Sequence, residues 1–486
     1  MRAAVACWLL ALLGLLGLAP GAAPAHFSSI TLLPSTQIST DEPAARHVES
    51  WLAVNPRDPR NLIAAAIVYS RYGGVAAYAS QDGGKSWLRA THGARTEKYF
   101  DGGDPSVAFD AEGNAYLATL WSGVTVWKSS DGGRTWGVPA IVPGPINDRP
   151  FIACERSAKP LRGRVYTSAR LSINILGSPL SDAIGVAISR DGGATFGFPN
   201  LLLPSPEIEG VESASDLLVA PDGRLILPLQ TFAVQDRGAT ASMLQGRYSI
   251  VVSRDRGRSF SEPRPVAAFR VHGHGQEWLS TKGIGGGRLA MDTSGGPRRG
   301  TLYLAWLDAG DGGRYQVMVA ASANGGETWS RPVRVNDNES ASNQSNPAIA
   351  VNDEGVVGVS WNDRRNDPSE SCYQPFFAAS LDGGATFLPN VEVAKEPACP
   401  NGPNYREGTF DPDNPGHRFL NGGDTQGLVG LPGNAFHFAW IGGPGVLQLW
   451  STVVQLSPPS SRGAAREPGR LRPQPVTVPR RTKGVP

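Results

Sequence analysis

Seven acidic or polar residues recur at one kind of position along the chain, immediately before a short apolar segment. They are Glu49, Asp104, Asp148 with Arg149 beside it, Glu212, Glu277, Asn346 and Asp424. Carboxyl groups that converge on one pocket can share a proton, donate it to a bound sugar or hold a cation, and a neighbouring guanidinium can hold an anion. The alternative is that each side chain only caps its own turn. The chemistry therefore depends on whether the fold brings these positions together.

An eight-residue pattern, Ser-x-Asp-x-Gly-x-Thr/Ser-Trp/Phe, occurs six times and indicates the fold. The copies begin at Ser80, Ser129, Ser189, Ser253, Ser322 and Ser380, with Asn324 in place of Asp in the fifth. A short Asp side chain accepts hydrogen bonds from the N–H groups of its own turn, and the Gly permits a positive φ. The hydroxyl adds a second local bond, and the aromatic ring packs under the turn. Each copy therefore predicts a hairpin corner followed by a strand, with a structural role.

This set of motifs resembles the Asp-box, or bacterial neuraminidase repeat, of the sialidase superfamily, and the resemblance covers most of residues 45–455. It implies an all-β propeller of four-stranded antiparallel blades in which the boxes join the two outer strands. In that family the boxes lie away from the catalytic face. The resemblance therefore predicts the fold more strongly than it predicts an activity.

The segments between the boxes are short apolar strands with turn signals about every 8–12 residues, which is typical of antiparallel β structure. The high content of Gly (59 of 486) and Pro (40 of 486) fits such turns. Seven strand starts predict seven blades, the last of them (Asp424–Val454) without a box. Six blades, as in the sialidase catalytic domain, is the alternative. The segment Ser29–Ser39 precedes the first blade and is expected to supply a closing strand to the last one.

The sialidase resemblance also implies a site made of three arginines for a sugar carboxylate, a tyrosine nucleophile with a glutamate, and an acid/base Asp. Glu212 and Arg314 match two of these positions. The first blade lacks the family's opening Arg-Ile-Pro, Gln230 stands where the second arginine is expected, and 343–346 holds no tyrosine. Arg149, Arg364 and Arg365 are available as substitutes. Of these, Arg364 and Arg365 lie in a charged run that predicts a solvated loop with internal ion pairs.

Two functions follow from these observations. The first is an exo-sialidase-like glycoside hydrolase with an atypical site at one mouth of the central channel of the propeller, where ligands of propellers bind. We call this opening the axial mouth. The second is a non-catalytic propeller that binds a glycan or a protein on the same face. The predicted catalytic residues are Glu212, Asp148, Arg149 and Arg314. The predicted substrate-binding residues are Glu49, Asp104, Glu277, Asp424 and Trp278. Trp278 and Trp51 can stack on a sugar if they lie at the mouth, and core packing is the default expectation for both.

The composition and the chain ends limit the compartment and the partners. Residues 1–25 have the Arg2, apolar run and Ala-Pro-Ala ending of a secretory signal, and its eleven-residue apolar run is too short to span a bilayer. The propeller is predicted over 26–456, with a disordered Pro/Arg-rich tail over 457–486. The tail carries +6 and Arg2 carries +1 of the net +2, which leaves −5 for the body. We therefore expect a secreted, extracellular or periplasmic monomer that binds no nucleic acid and does not span a membrane.

The cysteines predict one disulfide, and the histidines predict no metal centre. Cys7 leaves with the leader, and three cysteines remain in an oxidising compartment. Cys372 and Cys399 flank one repeat unit and are predicted to form a disulfide, while Cys154 is expected to be a small buried apolar residue. His272 and His274 lack a third ligand, so no metal and no cofactor are predicted.

Overall fold

The described part of the chain consists of 32 strands joined by turns and contains no helix. The computed structural model describes residues 29–69, 73–93, 97–156, 163–173, 181–202, 211–214, 216–232, 243–272, 286–340, 342–400, 421–443 and 445–457. Within them, Ile30–Leu456 form one compact unit. The predicted leader lies outside the described residues, and so does the predicted tail apart from Ser457, which ends the last strand. The prediction of an all-β fold is confirmed.

The strands form seven antiparallel sheets of four principal strands, and each sheet is one blade of a propeller. Blade 1 contains β3 (Arg46–Asn55), β4 (Asp58–Tyr69), β5 (Gly74–Ser80) and β6 (Leu88–Arg89). Blade 2 contains β8 (Gly103–Phe109), β9 (Ala115–Leu120), β10 (Val124–Ser129) and β12 (Ala140–Val142). Blade 3 contains β13 (Ile146–Cys154), β14 (Val165–Ile173), β15 (Ser181–Ser189) and β16 (Asn200–Leu202). Two short strands between the first two blades, β7 (Thr91–His92) and β11 (Thr135–Trp136), pair in parallel.

The remaining four blades repeat the same order from the axis outward. Blade 4 contains β17 (Val211–Ala214), β18 (Leu218–Val219), β19 (Leu225–Phe232), β20 (Met243–Ser253) and β21 (Arg264–His272). Blade 5 contains β22 (Arg288–Met291), β23 (Leu302–Asp308), β24 (Gln316–Ser322) and β25 (Val333–Arg334). Blade 6 contains β26 (Gln344–Val351), β27 (Val357–Asp363), β28 (Gln374–Ser380) and β29 (Val391–Glu392). Blade 7 contains β30 (Gly427–Leu431), β31 (Ala435–Gly442) and β32 (Gln448–Ser457).

The N-terminal segment completes the last blade. Strand β1 (Ser29–Leu32) pairs with β32, and so does β2 (Thr36–Gln37), whose Thr36 lies opposite Ser451. This confirms the predicted closing strand and the count of seven blades. Because the first and last segments share one sheet, the ring of blades closes without a long exposed edge.

The core lies between the blades. Every residue of β28 and β31 is buried, because both faces of these strands pack against neighbouring sheets. In blade 1 the facing strands carry alanines at Ala64, Ala65, Ala76 and Ala77, all fully buried. Such small side chains let adjacent sheets approach closely.

The six boxes form the turns between the third and fourth strands of blades 1 to 6. In the first, Asp82 accepts hydrogen bonds from the Ser86 N–H (3.0 Å) and hydroxyl (2.6 Å), while Ser80 Oγ accepts one from Gly84 N (2.8 Å). The equivalent bond from the Thr195 hydroxyl is the main cause that lowers the pKa of Asp191 to about 2. Because neighbouring strands are antiparallel, these turns lie at the end of each blade opposite the start of its innermost strand.

The structure joins Cys372 and Cys399 in a disulfide, the pair that the sequence predicts. Next to the disulfide, Tyr373 and Ala398 form an isolated antiparallel β-bridge. Cys154 is buried and unpaired, and burial raises the pKa of its thiol. Over the described residues, no helix is long and apolar enough to cross a membrane.

Candidate functional site

Four innermost strands carry a non-glycine residue in the left-handed region at the same place, where the strand begins. Glu49 has a φ of 56°, Asp104 of 48°, Arg149 of 31° and Asn346 of 52°. In each case the register with the second strand shifts at that residue, so it lies in a bulge. Such backbone strain costs about 1–3 kcal/mol and persists only where the surrounding structure enforces it. Bulges also redirect side chains, and here they occur where the innermost strands meet the axial mouth.

Glu212 occupies the equivalent backbone position in blade 4. The register of β17 with β19 shifts between Val211 and Ser213, which places a bulge at Glu212. Its side chain lies outside what the structure describes, so its predicted catalytic role stays a prediction. Glu277 and Trp278 also lie outside the described residues.

Four carboxyl groups surround one guanidinium at the axial mouth; we call Glu49, Asp104, Asp148, Asp424 and Arg149 the carboxyl cluster. Arg149 Nη2 forms an ion pair with Asp424 Oδ2 and interacts electrostatically with the other three carboxyls. The side chains of Glu49 and Asp104 are hydrogen-bonded to each other. Only 3% of the surface of Glu49 is exposed. The fold therefore assembles residues from blades 1, 2, 3 and 7 that are far apart in the chain.

The electrostatics of the carboxyl cluster favour a protonated Glu49. Burial raises the pKa of Glu49 well above its usual range, and the charges of Asp104 and Asp424 raise it further, although Arg149 opposes them. Burial also raises the pKa of Asp104, against the effect of Arg149 and of the hydrogen bond from Glu49. Burial lowers the pKa of Arg149, but the surrounding carboxylates outweigh it and the net shift is upward. Two adjacent carboxyls of this kind hold one proton between them.

The turn before blade 7, residues 421–423, is hydrogen-bonded to Glu49 of blade 1 and to Asn346 of blade 6 at the axial mouth. Glu49 N donates to Gly422 O (2.8 Å), and Asn346 Nδ2 donates to Gly423 O (2.6 Å) and Asn421 O (3.1 Å). Gly423 has a φ of 100°, and a side chain there would clash with the backbone and side chain of Glu49. The close approach of this turn to Glu49 therefore requires glycine.

Arg288, the first residue of β22, makes contacts that reach three other blades. Its Nε lies 3.3 Å from Asp216 Oδ2 of blade 4, and its Nη1 donates to Gln426 O beside blade 7 (3.3 Å). Its guanidinium lies 4.2 Å from the centre of the Trp51 ring in blade 1. Trp51 also packs against Phe151, with ring centres 5.6 Å apart. The Trp51 ring is buried and covered by protein groups, which agrees with core packing, the default expectation for this side chain.

Sequence reasoning missed Arg288, Asp216 and Gln426. The pattern of polar residues before apolar segments predicts that blade 5 starts at Glu277, whereas its innermost strand is Arg288–Met291. A search for charged residues at the true strand start would have found Arg288. Nothing in the sequence signals that Asp216 and Gln426 lie next to it.

Arg314 is separate from the carboxyl cluster in its described contacts. Its Nη1 lies 3.1 Å from each carboxylate oxygen of Glu370, between the β23–β24 and β27–β28 loops. Its side chain is 46% exposed. Glu370 is held by hydrogen bonds from the backbone and amide of Asn343. The pair therefore forms an ordered ion pair across blades 5 and 6.

The charged run after β27 is only partly a solvated loop. Arg364 is 6% exposed and donates to Asn421 Oδ1 and to Ser345 Oγ (3.3 Å), so the prediction of a solvated side chain is wrong for it. Burial lowers its pKa. Arg365 forms the internal ion pairs that the sequence predicts, with Asp363 (2.8 Å) and Asp337 (2.7 Å). The difference arises because Arg364 points into the contact between blades 6 and 7.

Within the described ranges, no group of three or more His, Cys, Asp or Glu side chains is arranged to hold a metal ion. The carboxyl cluster contains a guanidinium at the position where a metal would balance the charge. The chemistry that this arrangement allows is proton transfer and hydrogen bonding to a polar ligand.

No protein-family model and no curated protein matches the chain. Among solved structures it is similar to a protein of unknown function from Dyadobacter fermentans DSM 18053, with 13% identity, a TM-score of 0.50, and 88% and 99% of the two chains covered. It is also similar to an α-L-arabinanase from Penicillium chrysogenum complexed with arabinobiose (13% identity, TM-score 0.43, 88% and 98% covered). A third similar structure is a variant of NanB sialidase from Streptococcus pneumoniae, with 11% identity, a TM-score of 0.41, and 90% of this chain and 71% of the other covered. A sialidase-like seven-bladed β-propeller fits the architecture and the motifs, and at these identities the likeness is one of fold alone.

Proposed function

We propose that the protein acts on glycans at the axial mouth, as a glycoside hydrolase in which Glu49 donates the proton. The observation that carries this proposal is the buried Glu49–Asp104 carboxyl pair in the strained bulges of two blades. A carboxyl group that keeps its proton near neutral pH can protonate a glycosidic oxygen as the bond breaks. The hydrogen bond to Asp104 holds the Glu49 carboxyl in one orientation.

The proposal assigns the anionic role to Asp148. Its side chain is 40% exposed, against 19% for Asp424, so it is the more accessible of these two carboxylates. An oxocarbenium-like transition state requires an anion beside the sugar, either as a nucleophile or to activate water. Arg170 Nη1 lies 3.6 Å from Asp148 Oδ2 and limits its movement. Arg149 acts as a positioning residue, since it holds Asp424 and balances the charge of the cluster.

The charges at the mouth favour an uncharged glycan. Arg149 is already paired with Asp424, and Arg314 with Glu370, so neither guanidinium is available to a substrate carboxylate. A sialic acid would bring its own negative charge to a cluster of four carboxyl groups, and like charges at short range repel. Exo-sialidase activity, which the sequence motifs suggest, is the alternative substrate class, and it is tested in the same assay.

One observation favours the second candidate, a non-catalytic propeller that binds a glycan. Glu49 and Asp104 are hydrogen-bonded, whereas the two catalytic carboxyls of glycosidases lie about 5–9.5 Å apart. Catalysis therefore requires Asp148 or Glu212 as the second group, and it requires the nearly buried Glu49 to reach the substrate. A binding protein has neither requirement.

We also propose that the protein is exported, because of the signal-like leader and the disulfide. Disulfides persist in oxidising compartments. Fractionation of the source cells tests this point, with an expected signal in the medium or the periplasm. Retention of the uncleaved chain in the cytoplasm would contradict it.

The test is hydrolysis of 4-methylumbelliferyl glycosides by the purified full chain. The panel contains uncharged glycosides, including an α-L-arabinofuranoside and a β-galactoside, together with an α-sialoside. Glu49→Gln is expected to lower turnover of an uncharged glycoside by about 100-fold or more, the range of a lost general acid. Glu354→Gln, at an exposed turn on the box side of blade 6, is the matched control and is expected to keep full activity.

Each outcome of this assay has a distinct meaning. Equal activity of Glu49→Gln and the wild type would overturn the assignment of the proton donor. Turnover of the α-sialoside alone would overturn the charge argument and favour an exo-sialidase with a rebuilt site. No turnover of any glycoside, with binding of uncharged glycans on an array, would replace the hydrolase by the binding propeller.

A further inference from the structure

A cavity of about 490 Å³ opens on blade 6, and it is distinct from the carboxyl cluster. Its walls are the loop between β27 and β28 and the segment that follows β29. Its polar lining includes Asp363, Asn366, Asp367, Gln374, Glu392 and Lys395. The β27–β28 loop lies at the end of the blade where the innermost strand begins, because neighbouring strands are antiparallel. The cavity therefore opens on the same end of the propeller as the axial mouth.

The walls of this cavity are held rigidly. Asp367 accepts hydrogen bonds from the backbone N–H groups of Ser371 (2.8 Å) and Cys372 (2.7 Å). The disulfide between Cys372 and Cys399 ties the loop to the segment after β29. A cavity whose shape exists before binding loses little conformational entropy when a ligand enters.

Three planar polar side chains on the wall form a closed ring of hydrogen bonds. Asn366 Nδ2 donates to Gln374 Oε1 (2.8 Å) and to Glu392 Oε2 (3.3 Å), and Gln374 Nε2 donates to Glu392 Oε1 (2.9 Å). Each bond fixes the plane of its partner. The carboxylate and amide oxygens have two lone pairs each, so the ring keeps acceptor capacity for hydroxyl groups.

The charge and size of the cavity select the class of ligand. Asp363 is ion-paired with Arg365 (2.8 Å), which also pairs with Asp337 (2.7 Å). The other charged residues of the lining are Asp367, Glu392 and Lys395, which together carry a net charge of −1. This nearly balanced set, with oriented acceptors and an ammonium donor, suits a ligand that carries many hydroxyls and no net charge. A volume of about 490 Å³ lies within the roughly 300–1,000 Å³ of small-molecule sites.

We propose that this cavity is a second carbohydrate site, which binds an uncharged mono- or disaccharide and takes no part in bond cleavage. It goes beyond the function proposed for the axial mouth and does not depend on it. The Tyr373 ring lies below the Arg364 guanidinium (5.8 Å), and Arg364 in turn contacts the Asn421 turn of the axial mouth. A glycan held at the cavity would be kept on the face that carries the carboxyl cluster.

The experiment measures binding of cellobiose, maltose and lactose, and of glucosamine as a cationic probe, to the full chain by isothermal titration calorimetry and saturation-transfer NMR. Glu49→Gln serves as the background, so that no hydrolysis interferes. Added to it, Glu392→Gln and Asn366→Ala are each expected to weaken binding by about 10-fold or more, since each removes a bond from the ring. Glu396→Gln, an exposed acid that does not line the cavity, is the matched control and is expected to leave binding unchanged. Unfolding midpoints verify that all variants are folded.

The possible results separate this site from the axial mouth. Binding that persists in Glu392→Gln and Asn366→Ala would overturn the proposal, because the sugar then binds elsewhere. Absence of binding by all three disaccharides would also overturn it, and so would binding of glucosamine, the cationic probe, alone. Failure of the hydrolase assay with intact binding here would refute only the proposed activity of Glu49.

Discussion

Replacement of Glu49 by glutamine is expected to stabilise the fold, by an amount that grows with pH. Burial raises the pKa of Glu49 well above the ordinary value of 4.5, so the folded chain keeps a proton that the unfolded chain releases above that pH. Below pH 4.5 both states are protonated and the wild type bears no penalty. As the pH rises towards the folded pKa, the wild type loses about 1.4 kcal/mol of unfolding free energy per pH unit. Glutamine does not ionise and still donates a hydrogen bond to Asp104, so the variant lacks this loss.

The assay is urea unfolding of the wild type, Glu49→Gln and Glu354→Gln between pH 4.5 and pH 8.5, followed by tryptophan fluorescence. The free-energy difference between Glu49→Gln and the wild type is expected to rise by about 1.4 kcal/mol per pH unit until the folded pKa is reached. It then stays constant. Glu354 is exposed, so its variant is expected to follow the wild type at every pH. A difference for Glu49→Gln that is independent of pH, or that falls as the pH rises, would refute the conclusion that Glu49 is buried as a neutral acid.

Four further variants test the fold and the charge balance of the cluster. Arg149→Met removes the cation among the four carboxyls and is expected to cost about 3–5 kcal/mol at pH 7 by urea unfolding. The cost is expected to be smaller at pH 4, because the raised pKa values of Glu49 and Asp104 favour their neutral forms there; an equal cost at both pH values would contradict the described pairing. Cys372→Ser opens a loop of 27 residues and is expected to cost about 3.5 kcal/mol, which an unchanged urea midpoint would disprove. Gly83→Ala is expected to lower the free energy of unfolding by about 1–2 kcal/mol, from its positive φ alone. Gly84→Ala is expected to lower it distinctly more, because its Cβ would also clash with the ring of His437. Equal losses of stability in thermal unfolding would argue against this packing.

The fold could be predicted because its determinants are local. Each box satisfies its own hydrogen bonds within eight residues, so six copies identify six blade corners without any tertiary contact. The seventh blade and its closing strand followed from a strand cadence that continues past the last box. The predicted start of blade 5 was wrong: Glu277 precedes the observed innermost strand, Arg288–Met291. The pattern misleads here because this strand is short and follows a glycine-rich run.

The carboxyl cluster was predicted only as a set of positions. That Glu49, Asp104, Asp148 and Asp424 precede innermost strands could be read from the chain, and the structure brings them together around Arg149. Which carboxyls touch could not be read, because it depends on the bulges that turn each side chain and on the turn at Gly423. Arg314, which the sialidase motifs suggest, is instead held by Glu370, a residue with no sequence signal.

The all-β class, the seven blades, the closing strand and the Cys372–Cys399 pair could all be predicted from the chain, since each depends on patterns within or between adjacent repeats. Three facts became visible only in the folded chain: Glu49 is a buried acid next to Asp104, Arg288 covers Trp51, and Arg364 lies between blades. These facts join residues of different blades across the axis. Their distances depend on the radius of the closed ring and on the packing of every blade in it, and no local spacing in the chain encodes that radius.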